Sequence, residues 1–175
     1  MQQNSIKLLS VDRHDELSLI VELVQKIKAK YPELNPSNTL VVMVSPDYSA
    51  TAAMHVAHAL SADGEMCDIL PIHIPYPDEA KDAYMIKADH DIQSWHVFAE
   101  RKYDNYLLVE AGVIKGGTYT WLTKLLDNLV SGRIITTTLY ENNHSVFKSD
   151  VVGSYYDAQK EDLTFYYERD NKHWN

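Results

Sequence analysis

Residues 106–122, YLLVEAGVIKGGTYTWL, decide how the chain is read. An apolar run closes on one acid, a loop with two adjacent glycines follows, and Thr118 opens a stretch in which Leu122, Leu125, Leu126 and Leu129 recur at helical spacing. A short, unbroken apolar run suits a strand buried on both faces, as in a parallel sheet. The spacing therefore predicts a central strand ending at Val109 or Glu110, then a helix from Gly117 to about residue 130.

The same alternation extends on both sides. Residues 12–30 predict a helix burying Leu17, Ile20, Val21, Val24 and Ile27, with Asp15 and Glu16 early and Lys26, Lys28 and Lys30 late, as the helix dipole favours. TLVVMV at 39–44 reads as a buried strand. Residues 49–60 predict a helix packing Ala53, Met54, Ala57 and Leu60. In MCDILPIHI, at 66–74, Pro71 limits the strand to an edge or a bend. RIITTTLY at 133–140 and LTFYY at 163–167 add further strands. Between the strand at 66–74 and the central strand, residues 75–104 mix charge, proline and aromatics without periodicity, as a functional cover over a site would. No repeat or Gly/Ser linker divides the sequence. The expectation is one α/β domain over residues 1–175, a mainly parallel sheet flanked by helices, with a tyrosine-rich C-terminal segment.

Composition narrows the function. Sixteen Lys and Arg against twenty-five Asp and Glu give a net charge of -9, so long-range electrostatics disfavour nucleic acid and anionic membranes as partners. No basic-then-apolar leader and no membrane-length apolar run is present, and a cytoplasmic location is expected. Cys67 is the only cysteine, which excludes an internal disulfide and a thiolate cluster. His55 and His58 share a helix face, but without an HExxH pattern two surface histidines outweigh a zinc site. His73, His90, His96 and His144 are scattered. Ser45, Ser49 and Asp47 lack the G-x-S-x-G elbow of a hydrolase. Twelve tyrosines and three tryptophans, at this charge, suit a homo-oligomer interface or the rim of a base pocket better than RNA binding.

The glycine loop carries the chemistry. Ligands of parallel sheets bind beyond the carboxyl ends of strands, where free N–H groups at helix starts attract anions. Gly116 and Gly117 allow a phosphate to approach the backbone, while Lys115, Thr118 and Thr120 add charge and donors. Neither G-x-x-x-x-G-K-[ST] nor G-x-G-x-x-G is matched. A structural turn and an anion cradle both fit this spacing.

The segment resembles the signature of the type I phosphoribosyltransferases, in the hypoxanthine, guanine and xanthine branch: a hydrophobic strand, two acids, a short loop and Gly-x-Thr opening a helix. Glu110, Gly116 and Thr118 match it in register. LVVMVSPDYSATAAMHVAHAL is similar to the family's first strand, diphosphate loop and helix. The segment from Arg133 through Asp150, Val151, Val152 and Gly153 is similar to its C-terminal part, where a D-hydrophobic-V-G turn lines the purine pocket. The resemblance implies a phosphoribosyl or nucleotide ligand. Its 5′-phosphate would meet Lys115, Gly116, Gly117, Thr118 and Thr120; its diphosphate, Ser45, Pro46 and Asp47. It further implies Glu110 at the ribose, directly or through Mg2+, and Arg133, Val151, Val152 and Asp162 at the base.

The sequence departs from that pattern where the chemistry lies. Ala111 replaces the second acid, and Ile114 stands where an acid credited with proton transfer is usual. SPDYSAT lacks the usual glycine, and Asp47 adds negative charge near a diphosphate, a repulsion that Mg2+ would reverse. The pattern implies retained ligand binding with weak or absent nucleobase phosphoribosyl transfer. An active purine-salvage enzyme and a non-catalytic regulatory or structural subunit are the alternatives.

Overall fold

The computed structural model describes residues 7–72 and 102–165, with only the backbone of Pro46 and Asp47. In chain order the elements are β1 (Lys7–Val11), α1 (Arg13–Lys30), β2 (Thr39–Val44), α2 (Pro46–Ala59), β3 (Asp68–Ile72), β4 (Asn105–Val113), α3 (Gly117–Leu129), β5 (Arg133–Asn142), β6 (Val151–Tyr156) and β7 (Glu161–Phe165). Five strands form a parallel sheet in the order β3-β2-β4-β5-β6, with β4 at its centre and Pro71 on the edge strand β3. The last two residues of the strand expected at 66–74, most of the expected cover (75–101) and the aromatic residues beyond 165 lie outside the described residues. No helix among the described residues is long and apolar enough to cross a membrane.

Alternation along the central strands sorts side chains to two cores. Val41, Met43, Leu107, Val109 and Ala111 join the core built with α1 and α2. Leu40, Val42, Leu108 and Val113 join Tyr119, Leu122 and Leu126 of α3 on the other face. The sheet is thus covered on both sides, as near-continuous apolar strands require.

Several expected faces and limits shift. Asp12 caps α1, its carboxylate accepting from the amides of His14 and Asp15 at 2.7 and 2.8 Å. The buried stripe of α1 is Glu16, Leu19, Ile20, Leu23 and Ile27, so Val21 points to solvent and Leu17 and Val24 are only partly covered. Helix α2 starts three residues earlier than expected, since Pro46 occupies its first turn, where a missing N–H costs nothing. It buries Ala52, Ala53, Val56 and Ala57, and leaves Met54 exposed. Leu129 of α3 is likewise exposed.

Strand β4 continues three residues past Glu110 because β5 offers partners that far, with Gly112 opposite Tyr140 and Val113 opposite Glu141. Asp150 to Gly153, expected as a turn, instead lead into β6. The Asp150 carboxylate accepts from the amide and hydroxyl of Thr136 at 2.9 and 3.0 Å and ties the strand's start to β5. Lys26 and Lys30 of α1 reach over this outer strand, donating to the carbonyls of Val152, Gly153 and Asp150.

Strand β1, which the sequence did not announce, pairs in parallel with β7 in a separate two-stranded sheet, from Lys7↔Glu161 to Val11↔Phe165. Val11 and Phe165 plug into the α1/α2 core, and the Phe165 ring meets Tyr140 edge-on. Leu163 rests against Gly112, where a Cβ would find it at 3.6 Å. The small sheet therefore sits at the carboxyl ends of β4 and β5.

Candidate functional site

Because β2, β4 and β5 are parallel, the segments after them emerge at one end of the sheet. After β2 comes Ser45, in the left-handed region at φ 51°, its amide bonded to the Ile72 carbonyl at 2.9 Å. Pro46 and Asp47 then begin α2. After β4 comes the run from Ile114 to Gly117, and after β5 the loop of residues 143–150.

Gly116 is the pivot of the central loop. It adopts φ +81°, and a Cβ there would overlap Phe147 Cβ and lie 2.9 Å from Ser145 Oγ. Both the backbone conformation and the packing demand glycine. Gly117 differs: a Cβ on it would meet nothing within 4 Å, so the start of α3 opens to free space. Gly116, at its N-cap, brings no side chain to cap it, and no cap bond is made among the described residues. Its first amides retain their donors and the partial positive charge of the helix dipole. Thr120 spends its hydroxyl on the Gly116 carbonyl at 2.8 Å, whereas Thr118, half-buried, makes no such bond. Lys115 is exposed beside them.

By alternation Glu110 faces α3, beyond Tyr106 and Leu108. Its Oε2 is buried without a hydrogen-bond partner, and burial pushes the carboxyl up to about 8. Tyr119, fully buried on α3, donates to the Thr137 carbonyl; its phenol is held well above the usual range, first by burial and then by the charge of Glu110. Ala111, 1% exposed, packs on the opposite face among α1 and α2 residues, while Ile114 is 50% exposed. Ile114 thus projects from the loop rather than lining an apolar pocket.

Solved structures with this arrangement of strands, loops and helices include the Helicobacter pylori xanthine-guanine-hypoxanthine phosphoribosyltransferase, at 16% identity and TM-score 0.62 over 97% of each chain. A purine phosphoribosyltransferase from Pyrococcus horikoshii aligns over 92% of this chain and 93% of its own, at 13% identity and TM-score 0.60. A hypothetical protein from Neisseria gonorrhoeae with bound ppGpp aligns over 96% of both chains, at 11% identity and TM-score 0.65. The chain has the type I phosphoribosyltransferase fold. Neither a protein-family model nor a curated protein sequence matches it.

Within this phosphoribosyltransferase-like fold the residues singled out in the sequence divide into two groups. Ser45, Glu110, Lys115, Gly116, Gly117, Thr118 and Thr120 gather at the carboxyl end of the sheet. Arg133 does not. It opens β5 at the far end, opposite Asn105, where it pairs with Glu33, donates to Asn105 Oδ1 at 3.0 Å and lies 4.9 Å over the Tyr31 ring. Roughly eight residues of extended β5, about 26 Å, separate it from the glycine loop, so it cannot read a base held there. Val151 and Val152 are paired to Thr137 and Thr138, and the Val152 carbonyl accepts from Lys26 at 3.0 Å. Asp162, on β7 opposite Leu8, is exposed.

Among the described residues no three His, Cys, Asp or Glu side chains converge as a metal site. Among the described residues Glu110 is the carboxyl that β4 brings beside the glycine loop, and an octahedral ion held there would need ligand oxygens and water for its other positions. His55, His58 and His144 do not alter this. What the sequence failed to signal is the β5–β6 loop, which lacks glycine and periodicity yet packs Asn142, Ser145 and Phe147 onto the loop after β4, Asn142 Nδ2 donating to the Ile114 carbonyl at 2.9 Å.

Proposed function

We propose that the chain binds a phosphoribosyl compound, phosphoribosyl pyrophosphate or a purine nucleotide, with its 5′-phosphate on the amides of Gly116, Gly117 and Thr118 and on the Thr118 hydroxyl, and that nucleobase transfer is weak or absent. The observation carrying this reading is the open, uncapped start of α3 directly after the central strand, entered through left-handed Gly116. Glu110 stands one strand-end away as the ribose contact. A Mg2+ ion would arrive with the diphosphate, which supplies most of its oxygens.

The weak-transfer half rests on Ala111 and Ile114. A missing general acid or base removes roughly 10²- to 10⁴-fold in rate and leaves phosphate binding alone. Ala111 also faces away from Glu110, into the α1/α2 core. Isothermal titration of the protein with phosphoribosyl pyrophosphate and a nucleotide panel that includes ppGpp, beside a base-consumption assay, tests both halves. Tight binding without turnover is expected, with Thr118→Leu weakening the binding several-fold. Robust turnover of hypoxanthine, guanine or xanthine would move the chain to the salvage enzymes; no binding at all would leave a protein-partner role.

A further inference from the structure

Asn142 closes β5 with a side chain that serves three segments at once. It is 7% exposed. Its Oδ1 accepts from the amides of His144, in the loop to β6, and Ala158, in the turn to β7, each at 3.2 Å. Two N–H groups converging on one end of the side-chain amide require the oxygen there, so the other end must donate. Nδ2 does so, to the Ile114 carbonyl at 2.9 Å. Ile114 stands one residue past the last β4–β5 pair, Val113↔Glu141, where the ladder no longer orients the backbone. The bond from Asn142 takes over where the chain leaves the sheet for the glycine loop.

That bond sets a direction. No peptide among the described residues is cis, so in the peptide joining Ile114 to Lys115 the carbonyl and the N–H point opposite ways. With the carbonyl turned to Asn142, the Lys115 N–H is directed away from the β5–β6 loop, the same loop whose Phe147 blocks Gly116. It donates to no group among the described residues. Gly117 follows with no Cβ to restrain it, and a cradle of backbone amides holds an anion best when its N–H groups are fixed beforehand. We propose that Asn142 is a positioning residue of the phosphate site: by holding the Ile114 carbonyl it aims the Lys115 N–H at a bound phosphate, beside the amides of Gly116, Gly117 and Thr118. The inference rests on the phosphate reading given above and adds to it a residue that itself touches no ligand. No movement of the loop is needed, since the bond is already made.

The test titrates the full chain with inorganic phosphate and with a purine nucleoside 5′-monophosphate, for the wild type, Asn142→Asp, Asn142→Leu and Thr118→Leu, and follows the Lys115 amide by two-dimensional NMR. Asn142→Asp keeps oxygens for the His144 and Ala158 amides and loses the donor to Ile114. Asn142→Leu, similar in shape, loses all three bonds without adding charge. Both should bind phosphate and the monophosphate about ten-fold more weakly, the worth of one aimed hydrogen bond to a charged group, and the phosphate-induced shift of the Lys115 amide should shrink in both. Tm should fall further in Asn142→Leu, so a loss of affinity common to both variants does not track stability. If Asn142→Leu does not fold, the Lys115 shift in Asn142→Asp, which reads the direction of the N–H, decides. If Thr118→Leu weakens the monophosphate while both Asn142 variants bind it like the wild type, the Asn142 role alone is overturned, whatever their Tm. A loss in Asn142→Asp with folded Asn142→Leu at wild-type affinity would assign the effect to the added charge and overturn it as well. If the wild type binds neither phosphate nor monophosphate, the phosphate reading falls and takes Asn142 with it.

Discussion

Gly116 shows how much one residue can be asked to do. A side chain there would need a left-handed backbone and would collide with Phe147, on a loop pinned by Glu141 and Asn142. Gly116→Ala should therefore cost ~2–4 kcal/mol, summing backbone strain and overpacking. A lowered denaturation midpoint measures it, and an unchanged one would mean that the β5–β6 loop yields freely. Glu16 poses the opposite problem. Both its carboxyl oxygens are buried and unpaired in the first turn of α1, and burial raises the group above its ordinary 4.5 against a smaller opposing pull from Arg13. A folded-state value above the unfolded one means that its contribution is complete below about 4.5 and is lost as pH climbs through the folded value. Glu16→Gln should gain on the wild type in Tm as pH rises above the ordinary 4.5. A gain that stays the same at every pH would show that the carboxyl is not titrating in the fold.

At the scale of elements, β6 depends on a staple. Asp150 holds the Thr136 amide and hydroxyl, and these bonds begin the β5–β6 pairing. Asp150→Ala should destabilise the protein by about 1.5–3 kcal/mol, the usual loss for hydrogen bonds to a charged group. Phosphate affinity measured on the same sample should persist, since the staple lies at the other end of the loop from Gly116; a parallel loss of affinity would show that the loop's two ends act as one. The strands and helices that the sequence made legible were those with strong periodicity or an unbroken apolar run: β2, β4, α1 and α3. What it hid came from pairing across the chain. The extension of β4 to Val113 depends on β5, and β1, with only two leucines and a valine, is a strand because β7 lies beside it. In the site, the glycine loop was visible in the order of its residues. Arg133 was misplaced because position along a strand, rather than distance in sequence, sets which end of the sheet a side chain reaches.

For the whole molecule the decisive question is turnover. Ile114 is exposed on the loop, so Ile114→Asp should fold and should raise phosphoribosyl transfer above the wild type, by up to the two orders of magnitude at the lower end of general-base help. Ala111→Asp would put an unpaired charge into the core under α1 and α2 and should unfold the protein. A base-consumption assay on folded Ile114→Asp that matches the wild type would remove the missing acid as the cause of weak transfer. The pairing of β1 with β7 bears on a different matter, the order in which the protein assembles and comes apart. These strands are the first and last described elements, and almost all the intervening chain must be arranged before they can meet, so closing them carries the largest loop entropy in the fold. The two-stranded piece should form last and open first, while the five-stranded sheet stays intact. Hydrogen exchange at the amides of Leu8, Leu9 and Ser10 should then outpace exchange at Leu107, Leu108 and Val109, and the carboxyl end of the sheet would breathe on its own clock without melting the core beneath.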